Sequence, residues 1–171
     1  MKTKTETPDV LYPDEPIVAV GAADIARLKE LALRSPLRRA RLCTHRQPND
    51  LLHEMLIVIT RGSYVRPHKH IDRVESFSVL EGEADLLLLD NDGHPIRLLT
   101  LGAPSSGKLF YHRLDLPVFH TVLVRSEFVV IHEVTQGPFE RERTVFAPWA
   151  PAATEAEAAY AYNQSLLLIT P

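Results

Sequence analysis

The hydrophobic pattern of the chain changes period as it runs. From Asp24 the apolar residues Ile25, Leu28, Leu31 and Ala32 fall three or four apart, which predicts a helix running to about Arg34. Asp24 serves as its N-cap or first-turn acid, and Ser35-Pro36 stops it. Beyond it the pattern becomes strand-like. Leu52–Thr60 has an apolar centre and is closed by Arg61-Gly62. Residues 84–89 and 96–101 flank Asn91-Asp92-Gly93, a strong turn signal. Residues 109–113, Phe119–Val124 and 127–134 read as three more strands, with Arg125-Ser126 as a hairpin turn. With an edge strand at 17–20 and another strand at 37–45, eight or nine short strands stand against one clear helix, and a sandwich or small barrel is predicted.

The flanks read differently. Residues 1–16 hold three prolines among charged and small residues and are expected to be extended or loosely ordered. Residues 136–151 are strand-poor, with aromatic residues expected to pack back onto the barrel. Residues 154–162 are rich in alanine and glutamate but carry a weak apolar stripe, and residues 166–169 need burial, for which a partner subunit is one place. The expected organisation is an N-terminal extension and packing helix over 1–36, covering an open side of the barrel. The barrel itself occupies 37–135, and a C-terminal extension over 136–171 packs on the barrel or on a partner.

Composition narrows the function classes. At 171 residues the chain can bury one good-sized core. A net charge of -3 gives no reason to expect nucleic-acid binding, and no apolar stretch approaches a membrane span. The single cysteine, Cys43, excludes an intramolecular disulfide framework. With no secretory signal pattern at the N-terminus, the chain reads as cytoplasmic. There is no glycine-rich phosphate loop, zinc-protease HExxH or serine elbow.

The candidate chemistry lies in GSYVRPHKHIDRVESFSVLEG, from Gly62 to Gly82. His68 and His70 are two apart, so on a strand both imidazoles leave one face. Glu75 has the wrong parity for that face, so the chain must turn within residues 71–74 before a following strand brings the carboxylate back, with Phe77 and Val79 beside it. Imidazole nitrogens converging with a carboxylate suit a divalent transition metal, which takes such ligands at roughly 2.0–2.2 Å. Tyr64 and Arg66 share the parity of His68 and His70, which points them to the same side unless Pro67 interrupts the strand.

The spacing G-x5-H-x-H-x4-E-x6-G resembles the first metal motif of the cupin superfamily. That family takes a fourth ligand from a later strand, and Leu116-Pro117-Val118-Phe119-His120 resembles its second motif at Pro117 and His120, although Val118 stands where the motif has glycine. Residues 37–151, including the closing segment FAPWAP at 146–151, resemble the WbuC-type cupin metalloproteins, a group associated with bacterial surface-polysaccharide loci. The resemblance implies an all-β, cupin-type double-stranded β-helix (a small jelly-roll barrel) with an N-terminal helix and a C-terminal extension. It implies metal binding by His68, His70, Glu75 and His120, the ion being Fe, Mn, Zn or Ni.

Other polar residues remain open at this stage. Arg39, Arg41, Cys43 and His45 share one parity, a face that either lies in water or lines a pocket. In VVIHEV one of His132 and Glu133 must face inward; His132, Tyr64 and Arg66 are the catalytic candidates, and His45 and His112 are further possible pocket residues. The expected function is a small-molecule enzyme acting on a carbohydrate or related anionic polyol, isomerising or epimerising it. An iron-dependent dioxygenase and a non-catalytic sugar-binding or metal-stabilised structural protein are the alternatives. Arg66, with Arg39 or Arg41, is expected to favour an anionic ligand, and covering of the sheet edges predicts a homodimer.

Overall fold

A computed structural model describes residues 1–170. Its elements are β1 (Thr3–Thr7), β2 (Val10–Pro13), α1 (Ala22–Arg34), β3 (Arg39–Cys43), β4 (Leu52–Thr60), β5 (His68–His70), β6 (Glu75–Glu81), β7 (Glu83–Leu89), β8 (Pro95–Gly102), β9 (Tyr111–Leu114), β10 (Phe119–Val124), β11 (Phe128–Gln136), β12 (Thr144–Phe146) and α2 (Ala156–Leu167). The strands form a seven-stranded sheet in the order β1-β2-β3-β4-β11-β6-β9 and a five-stranded sheet in the order β12-β5-β10-β7-β8. All pairings are antiparallel except the parallel pair β2-β3. The result is a cupin-type jelly roll, an all-β fold with a helix before it and a C-terminal extension after it.

Alternation along the strands sorts side chains among three apolar clusters. Between the sheets lie Ile59, Phe77, Val79, Leu86, Leu101, Val122, Val129 and Ile131, with Val65 joining them from the segment before β5. The outer face of the larger sheet is covered by α1, where Leu28 and Ala32 meet Ala40, Leu42, Leu56, Val58 and Val130. The outer face of the smaller sheet is covered by the C-terminal segment: Leu87, Leu89, Phe119 and Leu123 pack against Ala147, Ala150 and Leu166. The central strands are therefore apolar on both faces, which is why β10 is buried at all six positions.

Several expectations change. Helix α1 forms as anticipated, with the Asp24 carboxylate accepting the Gly21 backbone N–H at 2.9 Å, but it lies on a sheet face rather than over an open side of the barrel. Residues 17–20 form no strand; the edge is supplied further upstream by the β1-β2 hairpin, which the prolines of 1–16 do not prevent. Residues 136–151 contribute β12, which pairs with β5. Within 166–169, Leu166 is buried by its own chain while Leu168 is 81% exposed.

Two motif glycines occupy turns that need a positive φ. Gly82, at φ 77, lies where β6 leaves one sheet and β7 enters the other, and a Cβ there would meet the Phe128 carbonyl oxygen at 2.0 Å. Gly62, at φ 86, turns the chain out of β4.

Candidate metal centre

The short strand β5 presents His68 and His70, and Phe146↔His68 and His120↔His68 are direct cross-strand partners in the smaller sheet. Asp72, at φ 51, turns the chain over 71–74, and β6 begins at Glu75 in the opposite sheet. The parity difference between His70 and Glu75 is thus resolved by a crossing between sheets. Imidazoles and carboxylate meet face to face across the barrel interior.

The candidate ligand atoms of His68, His70 and His120 all lie within 4.8 Å of one another. Glu75 reaches two of the three: its Oε2 lies 3.0 Å from His70 Nε2, and its Oε1 lies 3.1 Å from His120 Nε2. The far sides of the rings each meet a hydrogen-bond partner. His68 Nδ1 donates to the Arg66 carbonyl at 2.9 Å, His120 Nδ1 donates to the Val118 carbonyl at 3.0 Å, and His70 Nδ1 lies 3.3 Å from the Thr144 hydroxyl. In the neutral ring, an Nδ1–H donated to a carbonyl leaves Nε2 as a lone pair. His120 Nε2 is buried and makes no aligned hydrogen bond despite its closeness to Glu75. The His120 lone pair facing the Glu75 carboxylate across about 3 Å repels it unless a cation stands between them, so this donor set fits a divalent metal by its chemistry.

Without an ion, the members of the set shift one another's protonation. Burial, assisted by the neighbouring His120, pushes His68 down to about 3. Burial alone would raise Glu75, but His120 and His70 outweigh it and hold the carboxyl well below its ordinary value. His120 is raised: the burial that would lower it is overcome by Glu75.

The remaining polar residues are sorted by the register. Glu133 pairs with Met55 and Phe77 and therefore faces inward. Burial, reinforced by the charge of Glu75, raises it to about 7. His132 pairs with Leu56 and Ser78 on the outer face, 3.7 Å from Glu54, which removes it from the catalytic candidates. His112, opposite Phe77 on β9, does face inward; its ring lies edge-on to Phe77 at 4.0 Å, its Nε2 is buried without a partner, and burial lowers it to about 4. His45 is buried but stacks on His53 at 4.0 Å, with Nδ1 3.0 Å from the Glu54 carbonyl and 3.3 Å from the Glu54 backbone nitrogen. Arg39, Arg41 and Cys43 share the inner-facing side of Ile59, Ile57 and Met55; Cys43 is buried while Arg41 is exposed.

Tyr64 and Arg66 do not share the side of the imidazoles. Residues 63–67 pair in no ladder, and Val65 inserts into the interior cluster, so the alternation is reset at Pro67 before β5 begins. Tyr64 donates its hydroxyl to the Pro151 carbonyl at 3.0 Å and meets Tyr162 edge-on, and burial pushes its phenol up to about 12. Arg66 Nη2 donates to the Ala147 carbonyl at 2.9 Å. Its guanidinium covers the Phe146 ring at 5.3 Å, one ring removed from His68.

The residue that sequence reasoning missed is Arg73, read only as part of a turn. It is 9% exposed and lines the groove in which His70 is reached from outside. No periodicity marks it, because loop residues carry no face.

Similarity to known proteins supports the fold. A family model described as a domain of unknown function, DUF6016, matches residues 20–101, a span that includes His68, His70 and Glu75 and ends before His120. No curated protein matches the chain in sequence. Among solved structures, CapF with the inhibitor 3-isopropenyl-tropolone is similar at a TM-score of 0.54 and 15% identity, over 64% of this chain and 32% of that one. The capsular polysaccharide assembling protein CapF from Staphylococcus aureus gives 0.51 and 14%, over 63% and 31%. Protein SO0799 from Shewanella oneidensis gives 0.50 and 10%, over 72% and 77%. The chain spans about a third of the length of the CapF chains it matches.

Proposed function

We propose that the chain binds a divalent transition metal through His68, His70, Glu75 and His120 and is a small-molecule enzyme acting on a carbohydrate or related anionic polyol, isomerising or epimerising it. The observation that carries the metal reading is the fixed tautomer: Nδ1–H of His68 and His120 is committed to backbone carbonyls, and His120 Nε2 lies 3.1 Å from Glu75. Bound there, the ion supplies Lewis acidity toward a carbonyl or hydroxyl and acidifies a coordinated water.

The protein's own groups complete the chemistry. Glu133 faces the same interior with a carboxyl raised to about 7, so at neutral pH it can take or hold a proton at its carboxylate. Phe77 and Val79 close the interior behind Glu75 and keep water out of that end. The carbohydrate class follows the resemblance of residues 37–151 to WbuC-type cupins and agrees with the capsular polysaccharide role in the name of CapF.

Metal content after dialysis tests the ligand set: wild type is expected to retain about one ion per chain and His70→Ala to lose it, whereas equal content in the two refutes the assignment. A panel of sugars and sugar nucleotides offered to the metal-loaded protein tests the enzyme half, and absence of turnover across the panel refutes it. Oxygen consumption by the iron-loaded protein would identify a dioxygenase instead.

A further inference from the structure

The loop between His70 and Glu75 forms a wall as well as a turn. Residues 71–74, with Asp115, Pro117 and Gln136, enclose a groove of about 270 Å³ that is lined at one end by His70. A second hollow of about 180 Å³ shares Asp72, Arg73 and Gln136 with it and continues toward Pro138 and Arg143. Arg73 belongs to both.

Its electrostatic position is unusual. Arg73 is 9% exposed, yet among the described residues it forms no ion pair within 4.0 Å. Among the described residues its side chain makes one hydrogen bond, from Nη2 to the Pro138 carbonyl at 3.0 Å, and the Phe139 ring lies 5.8 Å from Cζ. The neighbouring guanidinium, Arg143, is already paired with Glu140 at 2.6 Å. The carboxylates of Glu140, Glu133 and Glu75 act on Arg73 only from beyond 4.0 Å, so none of them occupies its fork, and five forked donors of which one is used suit a two-oxygen partner. Gln136 adds to this: its Oε1 accepts the Val74 N–H at 3.0 Å, which leaves its amide N–H groups as free donors beside the groove.

Size and charge narrow the ligand. The groove lies near the lower end of the roughly 300–1,000 Å³ of small-molecule pockets, which suits one sugar-sized unit. Its walls also hold Asp72 and Asp115, the latter paired with Arg113. These carboxylates accept hydroxyl hydrogen bonds but repel a dianion such as phosphate.

We propose that Arg73 is the anion-recognition residue of the metal centre, and that its ligand is a polyhydroxy carboxylic acid of monosaccharide size. The carboxylate pairs with Arg73 beside Gln136, and the hydroxyl-bearing carbons extend toward His70. This rests on the metal-enzyme reading above and assigns that site its substrate class.

Calorimetric titration of glucuronate, galacturonate and gluconate, with glucose, galactose and galactose 1-phosphate as comparators, tests it on wild type, Arg73→Gln and Arg73→Lys. The expected result is that at least one sugar acid binds wild type about tenfold or more tighter than its neutral parent. Arg73→Gln should lose about 30-fold for that acid, the equivalent of ~2 kcal/mol for a charge-assisted bond, with metal content unchanged. Arg73→Lys should recover part of the loss. Equal affinity for acid and neutral sugar, tightest binding of the phosphate, no binding of any acid to wild type, or an unchanged Arg73→Gln would each overturn the proposal. Metal content is read separately: a wild type that retains no ion but binds the acid through Arg73 refutes the metal reading alone, while a metal-loaded protein indifferent to Arg73 refutes this inference alone.

Discussion

The two ends of the barrel interior are built from the same strands and the same strand faces, yet they are chemically opposite. On β10 the inward positions are His120 at one end and Val122 and Val124 at the other; on β6 they pass from Glu75 to Phe77 and Val79, and on β11 from Glu133 to Ile131 and Val129. The apolar end gains from burying these side chains, at about 25 cal/mol per Å². The polar end gathers imidazoles and carboxylates, whose balance depends on protonation or on a cation. One fold thus places a stabilising region directly behind a region whose groups shift one another's protonation.

Mutations at the two ends should separate stability from metal binding. The largest effect is expected for Leu86→Ala at the closed end, where the side chain is 1% exposed: a loss of about 2–5 kcal/mol in denaturant unfolding, with metal stoichiometry unchanged in the folded fraction. Next, His120→Ala at the polar end should abolish the metal-dependent rise in thermal stability. In wild type that rise is worth about 2.7 kcal/mol when free metal is 100-fold above its dissociation constant. A variant that is stabilised by metal as strongly as wild type would break the contrast.

The pH dependence of the metal-free protein sharpens it further. His68 and His112, lowered to about 3 and about 4, bind fewer protons folded than unfolded below their ordinary value of 6.5, so stability should fall as pH drops from 6.5 toward 3. Glu75 acts in the same sense, its contribution being lost as pH falls through its depressed folded value. His120 acts oppositely: its stabilisation is full below 6.5 and is lost as pH rises through its raised folded value. Unfolding free energies across pH 4 to 8 should therefore decline toward acid, and His112→Phe should flatten the acid limb. An unchanged slope in that variant would place His112 outside the coupled set.

The smallest effect is expected for Arg66→Ala. It removes a hydrogen bond to Ala147 and the cover on Phe146, at a cost of about 1 kcal/mol in stability, and should leave metal content and sugar-acid affinity where they were. Isothermal titration of the variant checks this, and a loss of affinity matching that of Arg73→Gln would return Arg66 to the ligand site.

How legible each feature was depends on where in the fold it lies. Strands whose alternation is interrupted by turn residues, such as β4, β7 and β8, were readable because their apolar periods end at Gly62 and at Asn91-Asp92-Gly93. The gathering of His68, His70, Glu75 and His120 was readable from motif spacing, although the route was not: Glu75 arrives from the opposite sheet. On β11 the sequence offered no choice between His132 and Glu133. Helix α1 buries one face of that strand and the barrel buries the other, so both faces are apolar and alternation loses its meaning. The β1-β2 hairpin was hidden for the converse reason, because β1 buries almost nothing.

Local sequence determined what short-range geometry can enforce: the helix stop at Ser35-Pro36, the paired imidazoles two residues apart, and the turn glycines at positive φ. Only the tertiary structure decided which arginine stands at the centre. Arg66 looked inward because alternation was carried through Pro67, where the backbone in fact leaves the ladder and Val65 takes the interior position. Arg73 looked like a turn residue, and it became the buried cation beside His70 because the chain crosses between sheets at that point and folds against residues more than sixty positions later, at Gln136 and Pro138. Periodicity reports the faces of a strand, but which loop walls a site is settled by contacts distant in sequence.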